Sequence, residues 1–157
     1  MINESERYQG AALRQLIVSA GCAVKLCVTN KSGRIDCFSI ERTAFQIKYS
    51  TKRLSPWQFS FTADQLFEIA ALARNFKSVW MLLVCGIDGV VTLRASEFML
   101  ITEPRPGGVC SIRISRSKNA MYRVSGNAGE LPFAKARGVD ELIGEAIGRE
   151  VIEVQTK

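Results

Sequence analysis

The chain contains no histidine. This excludes a Ser–His–Asp triad, an imidazole general base and mixed Cys/His zinc sites. The five cysteines, Cys22, Cys27, Cys37, Cys85 and Cys110, form no CxxC pair, so zinc-ribbon and dithiol patterns are missing too. Their odd number and mostly apolar surroundings read as free thiols used as small core residues. Proline is scarce, with four in 157 residues, and no glycine pattern matches GxGxxG or a P-loop, which leaves nucleotide binding without support. No apolar run approaches the roughly 20 residues of a membrane helix. The longest, Val79 to Cys85, has strand length. The opening residues, MINESER, hold no apolar signal core, so the expected location is cytoplasmic, with no membrane partner.

Negative charge is in the minority: 21 Lys and Arg against 15 Asp and Glu, a net charge of +6. It is also unevenly placed. Seven basic residues and two acids lie between Lys25 and Arg53, and seven basic residues against Glu130 alone lie between Pro104 and Arg137. From Gly138 onward five acids outnumber two bases. Basic stretches favour polyanionic partners, nucleic acid first. Solvated strand edges on a mildly basic protein give the same composition.

The hydrophobic share, 47%, is ample for a packed core in one domain. Asn3 and Glu6 have capping-box spacing, and Leu13, Leu16, Ile17 and Ala20 follow as one helical stripe that Gly21 ends. Ala23 to Thr29 and Arg34 to Ile40 read as strands around the turn Asn30-Lys31-Ser32-Gly33. Ala44 to Tyr49 alternates, with Phe45, Ile47 and Tyr49 on one face and Gln46 and Lys48 side by side on the other. After the loop Ser50 to Trp57 and an extended Gln58 to Phe61, Thr62 and Gln65 open a second helix with Leu66, Ile69, Ala70 and Ala73 inward. Val79 to Cys85 reads as a strand buried on both faces. Gly86 to Gly89 turns the chain into Val90 to Arg94, and Ser96 to Ile101 is helical. EPRPGG, 103–108, breaks the chain before an alternating strand, Val109 to Ser115. Met121 to Ser125 follows as its hairpin partner and Asp140 to Ile147 as a weak helix. Helix, three strands, helix, two strands and a basic hairpin predict an α/β or α+β fold around a mixed sheet.

This order resembles the PD-(D/E)xK nuclease superfamily, most closely its archaeal Holliday-junction-resolvase branch. The matching pieces are ERYQGAALRQLIVSAG, RID, FQIKYSTKR and FTADQLFEIAALARNF, within residues 3 to 101. The resemblance implies a restriction-endonuclease-like mixed sheet flanked by helices, as a core at 1–103. A C-terminal extension at 104–157 would carry the basic β-hairpin, packed on the same single domain. It also implies a Mg²⁺-dependent DNA phosphodiesterase. Asp36 and Gln46 would hold the metal with hard oxygens, Glu6 would contribute from the first helix with Glu4 as its alternative, and the Lys48 ammonium would orient the attacking water. Such domains usually act as homodimers. Two positions depart from the family pattern: Gln46 stands where an acid is usual, and Ile35 rather than proline precedes Asp36. Both favour a second reading, a non-catalytic interaction or regulatory protein, defence-system or phage-encoded, that keeps the fold and a basic face for nucleic acid or a protein partner. Gln46 and Lys48 also fit an ordinary edge strand, Asp36 a residue after a turn, and Glu6 a helix cap.

Two basic segments complete the reading. In YSTKRLSPWQFSF, Lys52 and Arg53 suit phosphate contact, while Trp57 and Phe61 suit the core better than base stacking. In SIRISRSKNAMYRVSG, Arg113, Arg116, Lys118 and Arg123 would lie on or near one ribbon, suited to a nucleic-acid groove or to a subunit contact.

Overall fold

The structure, a computed structural model, describes residues 1–30 and 34–149. The expected turn at 30–33 therefore lies, beyond Asn30, outside the described residues, as does the end of the acidic tail.

Helix α1 (Glu4–Ala20) starts at Asn3, whose side chain accepts from the Glu6 amide while the Glu6 carboxylate accepts from the Asn3 amide. It stops where Gly21 adopts the left-handed conformation that glycine tolerates best, at φ 62°. The buried stripe is Ala12, Leu16 and Ala20, with Tyr8 and Leu13 half-buried, while Ile17 faces solvent. The i, i+4, i+8 ridge wins over the expected stripe because alanines at 12 and 20 allow close approach to the sheet.

Strands β1 (Leu26–Val28), β2 (Cys37–Ile40) and β3 (Thr43–Ser50) form an antiparallel meander. β1 is shorter than the sequence suggests and lies at the sheet edge. The chain then leaves through β4 (Trp57–Phe61) and helix α2 (Ala63–Asn75) and returns as β5 (Ser78–Cys85), parallel to β3. A parallel pair needs such a crossover. β6 (Gly89–Arg94) pairs back onto β5, which completes a five-stranded mixed sheet in the order β1-β2-β3-β5-β6. The fold is thus mixed α/β, with helices on both faces of the sheet.

β5 is central. Its Trp80, Leu82 and Val84 pack with α1 and with α4 (Asp140–Ala146). Its Val79, Met81, Leu83 and Cys85 pack on the opposite side with α2 and α3 (Ala95–Ile101). The second core also takes in Trp57, Phe59 and Phe61 of β4, all buried. As the sequence suggests, these aromatics plug the interior.

The basic hairpin is β7 (Cys110–Ser115) and β8 (Arg123–Gly126). It is part of a second, four-stranded sheet ordered β4-β7-β8-β9, with β9 at Gly129–Glu130. Phe59 pairs with Ile112, and Ile112 and Ile114 enter the same core as Phe61 and Leu83. Chain on both sides of EPRPGG thereby shares one interior. Further on, Lys135 is buried between the carboxylates of Glu97 at 3.1 Å and Glu141 at 3.0 Å.

Candidate functional site

β2 and β3 set the site's geometry. Cys37 lies opposite Gln46 in their register, and the carbonyl of Asp36, one residue ahead of β2, accepts from the Ile47 amide at 2.9 Å. Asn30 fixes this entry. Its Oδ1 accepts from the amides of Asp36 and Cys37 at 3.3 and 3.1 Å, and its Nδ2 donates to Asp36 Oδ1 at 2.9 Å.

Gln46 is 0% exposed and Asp36 7%. The Gln46 Nε2 donates weakly to Asp36 Oδ2 at 3.5 Å, and its Oε1 has no hydrogen-bond partner among the described residues. The Cys37 thiol donates to Asp36 Oδ1 at 3.4 Å. Glu68, from α2, completes a group in which one ligand atom each of Asp36, Cys37 and Glu68 lie within 4.8 Å of one another. Burial pushes the Cys37 thiol far above its ordinary value, and the carboxylates of Asp36 and Glu68 push it further.

Lys48 lies on the same strand face as Gln46. Its ammonium donates to the Ser60 carbonyl and, at 2.9 Å, to Gln65 Oε1, and sits 4.4 Å from the centre of the Phe61 ring. Desolvation lowers its pKa to about 8, against the attraction of Asp36 and with the repulsion of Arg34. A cleft of about 420 Å³ opens over this region, lined by Glu4, Ser5 and Gln9 of α1, Arg34, Asp36, β3 from Ile47 to Ser50, Thr51 and Gln65.

The structure therefore brings Asp36, at the entry to β2, together with Gln46 and Lys48 of β3. Glu6 is placed differently: its carboxylate caps α1, and Glu4 is the acid of that helix lining the cleft. Cys37 and Glu68 have no part in the sequence reading, which treats Cys37 as a core thiol. The available signals were the position of Cys37 beside Asp36 and the i, i+3 spacing of Gln65 and Glu68 on one helix face.

The basic residues divide. Arg53, Arg116 and Lys118 line a groove of about 310 Å³ between the β3–β4 loop and the β7–β8 turn. The two segments are joined by the Arg116 amide donating to Ser55 Oγ at 3.0 Å. Arg116 is committed to Asp88 at 2.5 Å, and Tyr122 donates to the other oxygen of that carboxylate. Lys52 is exposed in the same loop, while Arg113 and Arg123 are exposed on the second sheet.

No family model and no curated protein matches the chain. Among solved structures it is similar to a Holliday junction resolvase from the archaeal hyperthermophile Archaeoglobus fulgidus. The identity is 13% and the TM-score 0.43, over 68% of this chain and 87% of that chain. No helix among the described residues is long and apolar enough to cross a membrane.

Proposed function

We propose that this protein binds nucleic acid and carries a metal-dependent DNA phosphodiesterase centre at Asp36, Gln46 and Lys48. The observation that carries the reading is the convergence of a buried carboxylate, an unpartnered buried amide oxygen and a desolvated lysine beside one polar cleft. Asp36 and the Gln46 Oε1 are hard donors that fit a divalent ion, and a bound ion would supply Lewis-acid activation of phosphate and water. Lys48 contributes a positive charge where phosphate charge develops, in a setting drier than bulk water. Arg34, Ser50 and Thr51 supply phosphate-binding groups along the cleft wall. The groove at Arg53 and Lys118 extends the binding surface, because a single loop runs from Thr51 in the cleft to Arg53 in the groove.

A second reading, a binding module without catalysis, draws on Lys48 itself: its ammonium is already engaged by Ser60 and Gln65. One assay separates the two. Labelled linear and four-way-junction DNA are incubated with the protein and Mg²⁺ or Mn²⁺, then with EDTA, beside Asp36→Ala, Lys48→Ala and Gln46→Glu. The catalytic reading expects metal-dependent cutting that the first two substitutions abolish and the third increases. Salt-sensitive binding that survives all three, with no cutting, leaves the binding module.

A further inference from the structure

We infer that Asp36, Cys37, Glu68 and the amide oxygen of Gln46 form a thiolate-containing site for a thiophilic divalent ion such as Zn²⁺ or Co²⁺, in preference to Mg²⁺. The inference deepens the proposed metal centre and rests on that reading's placement of an ion at Asp36.

Two independent observations carry it. The first is the donor set: two carboxylates and a sulfur from three different places in the chain, with ligand atoms within 4.8 Å of one another. Zinc takes sulfur at about 2.3 Å and carboxylate oxygen at about 2.0–2.2 Å. In a tetrahedral shell two such donors lie about 3.5 Å apart, so side chains whose ligand atoms now lie within 4.8 Å of one another must rotate inward to close on an ion. The second is Gln46. Its Oε1 is buried without a partner, whereas its Nε2, on the same amide, reaches the Asp36 carboxylate. A buried carbonyl oxygen left unpaired costs stability, and a cation among these ligands removes that cost.

Asp36 and Cys37 converge although adjacent in sequence, because Asp36 precedes β2 and escapes the strand's alternation. Binding forms a metal–sulfur bond, and the thiol proton leaves to solvent with no change in oxidation state. Two carboxylates and a thiolate carry three negative charges against the ion's two positive charges, and Lys48 supplies a further positive charge beside them. Mg²⁺ prefers oxygen and water in an octahedral shell, whereas thiolate selects softer ions.

The test uses the full chain with the exposed cysteines removed as Cys22→Ser and Cys27→Ser. After EDTA stripping and exchange into a non-thiol reductant, it is titrated with Co²⁺ alone. The expected result is a near-ultraviolet sulfur-to-cobalt charge-transfer band that saturates at one ion per chain. Zn²⁺ displaces the band, and a hundredfold excess of Mg²⁺ leaves it in place. Cys37→Ser removes the band while circular dichroism stays native. Glu68→Gln keeps the band but weakens Co²⁺ binding by roughly tenfold or more, at least the loss typical of outer-shell partners. Absence of the band in folded protein, its survival in Cys37→Ser, or ready displacement by Mg²⁺ overturns the inference. The nuclease reading fails separately: a cobalt band with no DNA cleavage retires catalysis and keeps the site. Mg²⁺-dependent cleavage without a band keeps catalysis and retires the thiolate.

Discussion

Cys37 and Gln46 face each other across the β2–β3 pair, and both side chains reach the Asp36 carboxylate, at 3.4 and 3.5 Å. The thiol donates to one oxygen and the amide, weakly, to the other. What stays unmatched is the amide oxygen, which no group among the described residues satisfies.

That imbalance makes Gln46→Leu informative. An unsatisfied buried polar group costs about 1–3 kcal/mol; an apolar side chain of similar size removes that cost and gives up only the weak 3.5 Å bond to Asp36 Oδ2, so stability stays within about 1 kcal/mol of native or rises. Metal affinity falls in the same variant. Urea unfolding of EDTA-treated protein and a metal titration read the two effects. A loss of several kcal/mol without metal would show that Gln46 holds the fold rather than awaits a ligand.

Lys48 gives a pH dependence whose sign follows from its lowered pKa. The folded protein releases this proton near pH 8, the unfolded chain near the ordinary 10.5. Between those values the unfolded state binds more protons, so this group makes stability rise with pH across that window. Native protein compared with Lys48→Met in urea melts should give a difference that is flat below pH 8 and shifts in favour of native up to about 10.5. A flat difference throughout would mean that the lysine is not desolvated.

Asp88 makes stability rise with pH as well, but in the acid range. Burial raises its pKa, but hydrogen bonds from Tyr122 and Arg116, with the charges of Arg116 and Arg137, outweigh this and hold it below the ordinary 3.8. A depressed carboxylate contributes stability that is present above its unfolded value and lost as pH falls through the folded one. Tyr122→Phe should therefore lower the melting temperature near neutrality, with the gap to native narrowing once acid protonates Asp88.

The second sheet should unfold with the first. Phe61→Ala removes a ring buried between them and is expected to cost about 3–5 kcal/mol. Far-ultraviolet dichroism and the fluorescence of Trp57 and Trp80 should lose signal at the same urea concentration in native protein and variant. Two separated transitions would instead place β4, β7 and β8 in a unit of their own.

At the basic groove, Arg53→Ala with Lys118→Ala should weaken DNA binding and reduce the salt slope by about 0.9 for each phosphate contact removed. Arg113→Ala with Arg123→Ala, on the second sheet, should leave both unchanged if DNA follows the loop between cleft and groove. A larger effect from Arg113 and Arg123 would move the binding face to the second sheet.

The parts of the fold written in the sequence are those governed by short-range chemistry. Asn3 with Glu6 and Thr62 with Gln65 cap their helices reciprocally, as their spacing suggests. Phe45, Ile47 and Tyr49 alternate with Gln46 and Lys48 because a strand has a period of two. The unbroken apolar run at Val79 to Cys85 is an interior strand of the sheet, buried on both faces. What the sequence conceals depends on distant partners. Nothing local tells Phe59 that it pairs with Ile112, or Asp88 that Arg116 and Tyr122 will hold it. Glu68 is invisible as a site residue for the same reason: its meaning comes from Asp36 and Cys37, far away in the chain and brought beside it only by the fold.

Gln65 accepts two hydrogen bonds on one oxygen, from the Thr62 amide that opens α2 and from the Lys48 ammonium at the cleft, each at 2.9 Å. The first turn of the helix and the charge at the cleft are therefore linked energetically. An anion that draws Lys48 toward itself frees Gln65 to cap more fully, and by reciprocity a tighter cap eases the lysine's release. Amide hydrogen exchange at the start of α2 is thus a gauge of occupancy at the cleft, one that needs no label on the ligand.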